Sequence, residues 1–284
     1  MLKNLLSNEH VKLIREALLT PSNPNDPDSL DPKLLDALVK PMDWFCRNYF
    51  RQEVRGIDLV PRGKTLIVGN HNAGITFIEA FGMGARFYLE RGTTEVIHTL
   101  AHDTLMKVPY LNNLFSKVGA VRANPENAQA IFERDRKILV FPGGNLEAYR
   151  PYRDRSQVNF ANRKGFIKLA LKNRVPITPV VFHGGHESFF VLHDGQKLAK
   201  FLKMDRLFRL DTWPLVFSLP WGFTLGPLFH WPLPVKCVTQ FLEPVSLESY
   251  SVEDVDNPEA LNEIYEEVTG RMQRALTALS EERR

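Results

Sequence analysis

Short apolar, β-branched runs recur along the chain at residues 65–69, 96–100, 138–141, 177–182 and 235–241. Several are apolar throughout instead of alternating, which is the pattern of strands covered on both faces, as in a parallel sheet flanked by helices. Between the runs the spacing of apolar residues changes to three and four, and predicts helices over 75–90, 125–134 and 164–172. Asn124 is suited to cap the second of these, with Pro125 at its first helical position. Val175-Pro176 then breaks the chain into the next strand. This βαβ rhythm predicts a single α/β domain over 46–284, with a mixed, mostly parallel sheet between helices. Residues 1–45 are expected to form an N-terminal helical extension. Leu2, Leu5, Leu6, Ile14, Leu18 and Leu19 fit a short amphipathic helix, a Pro- and Asp-rich linker covers 20–32, and a second helix runs near 33–51. The first helix either packs on the body of the protein or lies on a membrane surface.

One stretch breaks the rhythm. Residues 212–235 contain no charged side chain, a length that suits a membrane span, but Pro214, Pro220, Pro227, Pro232 and Pro234 rule out a continuous helix. Two readings stand: an irregular apolar cover over the sheet, or a wall that receives an acyl chain or enters the lipid interface, where Trp213, Trp221 and Trp231 would be at home.

Composition narrows the function classes. The chain has 284 residues, 44% hydrophobic and 24% charged, which excludes disordered, collagen-like and coiled-coil classes. Its two cysteines, Cys46 and Cys237, build neither a disulfide framework nor a four-cysteine zinc site, in keeping with a reducing compartment. The first twenty residues lack the pattern of a secretion signal. The net charge of +3 does not imply nucleic acid, and the basic segment lacks the aromatic platform of a single-strand binder. Charge is unevenly spread, however. Residues 147–174 hold eight Lys or Arg against two acids, and residues 243–284 hold eleven acids against four Arg. The acidic tail reads as a solvated helix face. The basic run sits beside the best motif and is expected to face an anionic ligand or lipid surface.

The candidate chemistry lies at strand ends. His71 follows the 65–69 strand and precedes a helix, in the crevice where α/β sheets bind ligands. It is either a general base or a helix cap, and Glu79, eight residues on, is placed to fix its tautomer. The 138–141 strand runs into Pro142-Gly143-Gly144, followed by Glu147 and Arg150: a site of close ligand approach, or a tight turn with a surface ion pair. Gly119 closes a loop, and Arg122 is expected to start a short strand. The 177–182 strand ends in Gly184-Gly185 and is followed by Glu187. His183, His186 and His193 with Glu187 invite a metal site, but their spacing does not share a helix face. An ordinary loop, or substrate contact through Glu187, are the other readings.

Four blocks in order carry a resemblance: Asn70-His71 at a strand end, Gly119 to Arg122, Phe141-Pro142-Gly143-Gly144, and the Val-Pro-Ile-x-Pro-Val strand at 175–180. Over residues 56–244 the chain resembles the lysophospholipid and glycerolipid acyltransferase family, including the 1-acylglycerol-3-phosphate acyltransferases. Pro-Gly-Gly with Glu and Arg after it resembles the branch of diacylglycerol acyltransferase type 2 and the plant phytyl-ester-forming enzymes. Two positions depart from the commonest pattern. Thr76 stands where an Asp usually follows the His, leaving Glu79 as the nearest acid, and Gly143 replaces the Glu associated with glycerol-phosphate acceptors.

The resemblance implies direct transfer of an acyl group from a thioester, on coenzyme A or acyl carrier protein, to a lipid hydroxyl. His71 would be the base and Glu79 its orienting partner. Asn70, Arg122, Gly143, Gly144, Glu147, Arg150 and Glu187 would contact substrate, with Arg122 and Arg150 on a phosphate and glycine backbone donors near an oxyanion. No nucleophilic Ser or Cys, metal or cofactor beyond the acyl-thioester co-substrate is implied. The expected partners are a lipid acceptor, the donor and a membrane surface, which the protein would meet from the cytoplasm as a peripheral or monotopic protein. A non-catalytic lipid-binding protein of the same fold and an acyl-thioester hydrolase are the alternatives.

Overall fold

Alternate residues of the buried strands face opposite layers. Leu66, Val68, Ile138, Ile177 and Val181 belong to one apolar core, and Ile67, Leu139, Val180 and Phe182 to the other. This is the period-two consequence of strands apolar on both faces. The structure is a computed structural model and describes residues 7–283 except 73, 209 and 227. In chain order the elements are α1 (Asn8–Leu19), α2 (Pro32–Tyr49), β1 (Glu53–Arg55), β2 (Leu66–Gly69), α3 (Ile78–Arg91), β3 (Ile97–Ala101), α4 (Leu111–Lys117) and β4 (Ala120–Arg122). There follow α5 (Pro125–Glu133), β5 (Lys137–Val140), α6 (Gly144–Ala148), α7 (Gly165–Asn173), β6 (Ile177–His183) and β7 (Phe190–His193). The last are α8 (Gln196–Phe201), α9 (Met204–Leu207), β8 (Leu215–Ser218), β9 (Gly222–Leu225), β10 (Val238–Phe241) and α10 (Pro258–Glu282).

Seven strands form the main sheet in the order β1-β10-β6-β2-β5-β3-β4. Strands β6, β2, β5, β3 and β4 are mutually parallel, and β10 runs antiparallel to β6. The expected mixed, mostly parallel sheet is therefore present. Helices α5, α7 and α10 cover one face, α2 and α3 the other. Helix α10 buries Leu261, Ile264, Val268, Met272, Leu276 and Leu279, a stripe at helical spacing. Each such side chain contributes about 1.5–3 kcal/mol when fully removed from water. Three helices start alike, with an Asx cap and proline after it: Asp31-Pro32, Asn124-Pro125 and Asn257-Pro258.

Several expectations need correction. The boundary at 45/46 cuts through α2, whose Leu35 and Val39 share a core with Ile67 and Phe87. Helix α1 takes the first of its two readings and packs on α4: the Asn113 amide donates to Leu18 O at 2.9 Å and the Lys117 ammonium to Ala17 O at 3.1 Å. Leu2, Leu5 and Leu6 lie outside the described residues. Residues 212–235 are not an irregular cover, since they contain the β8–β9 hairpin, which joins β7 in a second, antiparallel three-stranded sheet. The basic run is largely turned toward other protein groups. Arg163 pairs with Asp211, Lys168 with Asp256, and Lys164 bonds Asn262, while Arg150 is buried. Among the described residues no helix is long and apolar enough to cross a membrane.

Candidate active site

Parallel strands put their carboxyl ends on one edge of a sheet, and the loops that leave that edge are the natural site of chemistry. His71 lies in the loop after β2. Helix α3 begins at Ile78, so Glu79 sits in its first turn and projects back toward the strand end. The His71 Nδ1 and a Glu79 carboxylate oxygen are 2.5 Å apart, and the same oxygen accepts the Asn72 N–H at 3.3 Å. With a carboxylate on Nδ1, that nitrogen carries the proton and Nε2 is left as the basic atom. The imidazole is stacked on Phe141 at 4.8 Å and Phe77 at 5.6 Å between centroids. Phe141 is the residue before Pro142-Gly143-Gly144, so this stacking joins the histidine to the twin-glycine turn. Phe77 holds a left-handed backbone, φ 50°, an uncommon state for a bulky residue that recurs where a loop is constrained around a site.

Beneath the dyad lies a second, fully internal pair. The Glu147 carboxylate accepts the His71 N–H at 2.8 Å and the Asn159 N–H at 3.0 Å. The Arg150 guanidinium donates to His71 O at 3.0 Å and to Arg155 O at 3.0 Å, and lies 3.4 Å from Glu147 Oε1. Burial pushes the Glu147 carboxyl up, while Arg150 and the two N–H donors hold it toward the charged form. Glu147 and Arg150 thus clamp both the N–H and the C=O of His71, and this replaces the expected contact with substrate. Asn70 likewise is internal. Its amide exchanges two hydrogen bonds with the Phe182 backbone, 2.9 and 2.8 Å, tying the end of β2 to β6. Gly143 is required by packing: a Cβ there would lie 2.5 Å from the Glu147 Cβ and 2.7 Å from Asn159 O. The Gly144 N–H is used within the turn, donating to Phe141 O at 3.1 Å, and so does not serve as the expected oxyanion donor in this structure.

With that geometry in place, residues 51–183 match the model of the Acyltransferase family, a span that contains His71, Glu79 and the Phe141–Gly144 turn. The match takes in just under half of the chain, and it is to this family that the chain is similar. It is similar to an uncharacterized protein of Mycobacterium tuberculosis, 29% identical over 261 residues, covering 91% of this chain and 70% of that protein. It is also similar to the mouse "DGAT1/2-independent enzyme synthesizing storage lipids", 28% identical over 150 residues, 53% of this chain and 44% of the mouse protein. The fold matches the crystal structure of a 1-acyl-sn-glycerophosphate acyltransferase, PlsC, from Thermotoga maritima, with a TM-score of 0.55 over 96% of this chain and 88% of that one at 17% identity.

The remaining expected site residues are spread along the same edge. Arg122 ends β4, where the sequence placed it at a strand's start, and pairs with Asp103 at 3.4 Å, half-exposed. Glu187 is not turned to the dyad. It pairs with Arg283 at 2.7 Å beyond the end of α10 and with Arg155 at 4.0 Å. The histidines around it do not form a metal site, and no group of three or more metal-type ligands occurs among the described residues. Burial and the nearby Arg283 hold His183 neutral, its pKa pressed down to about 4. Three residues contribute to the site in roles that the sequence did not assign to them. Arg163 donates to Pro142 O and Gly143 O and so fixes the turn. Asn72 donates to Phe182 O at 2.7 Å. His186, buried and held neutral by that burial and by Arg150, stacks on Phe189 at 6.3 Å between centroids. Asn72 had a local signal in its place beside His71, and His186 one in its place after the Gly184-Gly185 strand end, which was read for a metal instead.

Proposed function

We propose that this chain transfers a fatty acyl group from a thioester donor, acyl-coenzyme A or acyl carrier protein, to the hydroxyl of a lysophospholipid, glycerolipid or other lipid alcohol. The observation that carries the proposal is the 2.5 Å contact between His71 Nδ1 and Glu79 at the carboxyl end of β2, beside the Phe141–Gly144 turn. His71 Nε2 takes the proton of the acceptor hydroxyl as its oxygen attacks the thioester carbon. The C–S bond then breaks, and the departing thiolate recovers the proton from the imidazolium. Such proton transfer contributes about 10²–10⁴-fold in rate. Glu79 stabilises the imidazolium formed midway and holds the productive tautomer. No covalent acyl-enzyme is needed. Arg122 and Asp103 lie on the same edge as the dyad, and Arg122 is the cation suited to a phosphate on the donor or acceptor.

The test is to incubate the full chain with a long-chain acyl-thioester and mixed lysophospholipid, diacylglycerol and fatty-alcohol acceptors. Free thiol and product esters are then followed by colorimetry and mass spectrometry. Acceptor-dependent thiol release with a new ester is expected. Thiol release without acceptor means a hydrolase, and neither product means a lipid-binding protein.

A further inference from the structure

Strand β6 leaves the sheet at the carboxyl edge, and β10, antiparallel to it, enters at that same edge. Everything between them therefore begins and ends beside the loop that carries His71. This insertion holds β7, α8, α9 and the β8–β9 hairpin. It is anchored from below: Phe189, Val191 and Val216 form a small core with Ala148 and Tyr149 of the α6 region, and Ile75 of the His71 loop packs against it. Phe189 also lies close against Gly74.

The hairpin's outer face is inverted in polarity. In an antiparallel sheet with one face on a core, the other face is ordinarily polar. Here Val216 and Ser218 face inward, while Phe217 pairs across the strands with Phe223 and Leu215 with Leu225 on the outside. The Phe217 and Phe223 rings lie 5.0 Å apart. Phe223 is 70% exposed, Phe229 69% and Trp221 58%, and Phe201 at the end of α8 is 83% exposed. Bulky apolar groups at these exposures, clustered on one insertion, mark a surface built to be covered. Charge indicates what covers it. Lys197, Lys200, Lys203 and Arg206 are exposed on the same α8–α9 segment as Phe201 and Leu207. Aromatic residues ready for insertion, Trp at the boundary and a fringe of cations match an anionic phospholipid surface, with its apolar interior, interfacial zone and phosphate headgroups.

We propose that the α8–α9 segment and the outer face of the β8–β9 hairpin dock the protein onto an anionic phospholipid bilayer. The acyl-transfer reading gives this docking its purpose, since the insertion that carries the face packs on the His71 loop and acceptors then reach the site from the bilayer. Binding itself is independent of turnover.

The full chain is mixed with phosphatidylcholine vesicles, with and without phosphatidylglycerol, and bound protein is measured by sedimentation. Brominated lipids in the same vesicles report insertion through quenching of tryptophan fluorescence. Binding at least about tenfold tighter to the anionic vesicles is expected, weakened by salt, with quenching of the wild-type tryptophans. Phe223→Ser with Phe229→Ser is expected to reduce quenching and binding about tenfold or more. Lys200→Glu with Lys203→Glu is expected to remove the preference for anionic lipid. Both double variants keep the thermal melt and the transfer of acyl groups to a monomeric, water-soluble acceptor. If the hairpin variant does not fold, the lysine variant and the wild-type quenching still decide. No partition into anionic vesicles at low salt, or partition that neither pair of substitutions alters, overturns the proposal. So does a dimer that the phenylalanine substitutions dissociate, without vesicle binding, because the face is then covered by a second copy. Vesicle binding by a chain that transfers no acyl group to any acceptor would leave the docking intact and refute the catalytic reading alone.

Discussion

At the residue scale, the two acids around His71 have different tasks and different predicted phenotypes. Glu79 contacts the imidazole, whereas Glu147 contacts the peptide that bears it. Glu79→Gln keeps volume and a hydrogen-bonding atom but removes the charge that supports the imidazolium. It should lower kcat about 10–100-fold with KM nearly unchanged and the thermal melt within a few degrees, measured by steady-state transfer and calorimetry. An unchanged kcat would remove Glu79 from the mechanism. Glu147→Gln leaves the Arg150 guanidinium buried without its counter-charge, a change that costs about 3–5 kcal/mol. Its expected signature in denaturant unfolding is a large loss of stability. The dyad was legible in the sequence because its two members are eight residues apart on consecutive elements. Asn70, Glu147 and Arg150 were expected to meet substrate, since the sequence marks them as polar residues at a strand end and cannot display a partner such as the Phe182 backbone, 112 positions away.

At the element scale, the five central strands announced themselves as short, largely apolar and β-branched runs, the composition of strands buried on both faces. The edge strands β1 and β4 are three residues each, too short for a pattern: β1 leaves no signal, and β4 ends at Arg122, where its start was expected. The β8–β9 hairpin was missed for a different reason: its outward positions are as apolar as its inward ones, so the alternation that signals a surface hairpin is erased. The turn after β5 offers a sharp test of local packing. Gly143→Ala drives a Cβ into the Glu147 side chain and the Asn159 carbonyl, the latter fixed backbone. A loss on the order of 1–3 kcal/mol is expected from such overpacking, with activity falling alongside it because Glu147 holds His71. Gly165→Ala at the start of α7 meets nothing within 4 Å and is the matched control, expected to be neutral or slightly stabilising in the same melts. Equal melts for the two variants would contradict this account of the turn.

At the scale of the whole molecule, the fold stores neutral histidines. His98 and His183 have pKa values pressed down to about 4, chiefly by burial, against 6.5 in an unfolded chain. As pH falls from about 6.5 toward 4, the unfolded state takes up protons that the folded state refuses, so stability declines over that window. Each site contributes on the order of 2–3 kcal/mol to this loss at its lower end. Denaturant unfolding between pH 7 and 5 should show stability falling, with a slope that approaches about three protons taken up on unfolding, because the buried His186 is held neutral as well. A flat profile over that range would mean that these rings are not held neutral. The long-range pairing of the basic 147–174 run with Asp211, Asp256 and Asn262 also belongs to this scale. Composition displayed the two charge blocks, and only the packing of the 250–262 region and α10 beside α7 showed that they partly face each other.

The central claim is that one imidazole removes the acceptor's proton, and the most direct test is the rate of acceptor-dependent thiol release by wild type and His71→Ala at equal folded concentration. The account predicts a loss of about 10²–10⁴-fold or more in turnover with an unaltered melt. A His71→Ala protein that still acylates its acceptor near the wild-type rate would contradict it.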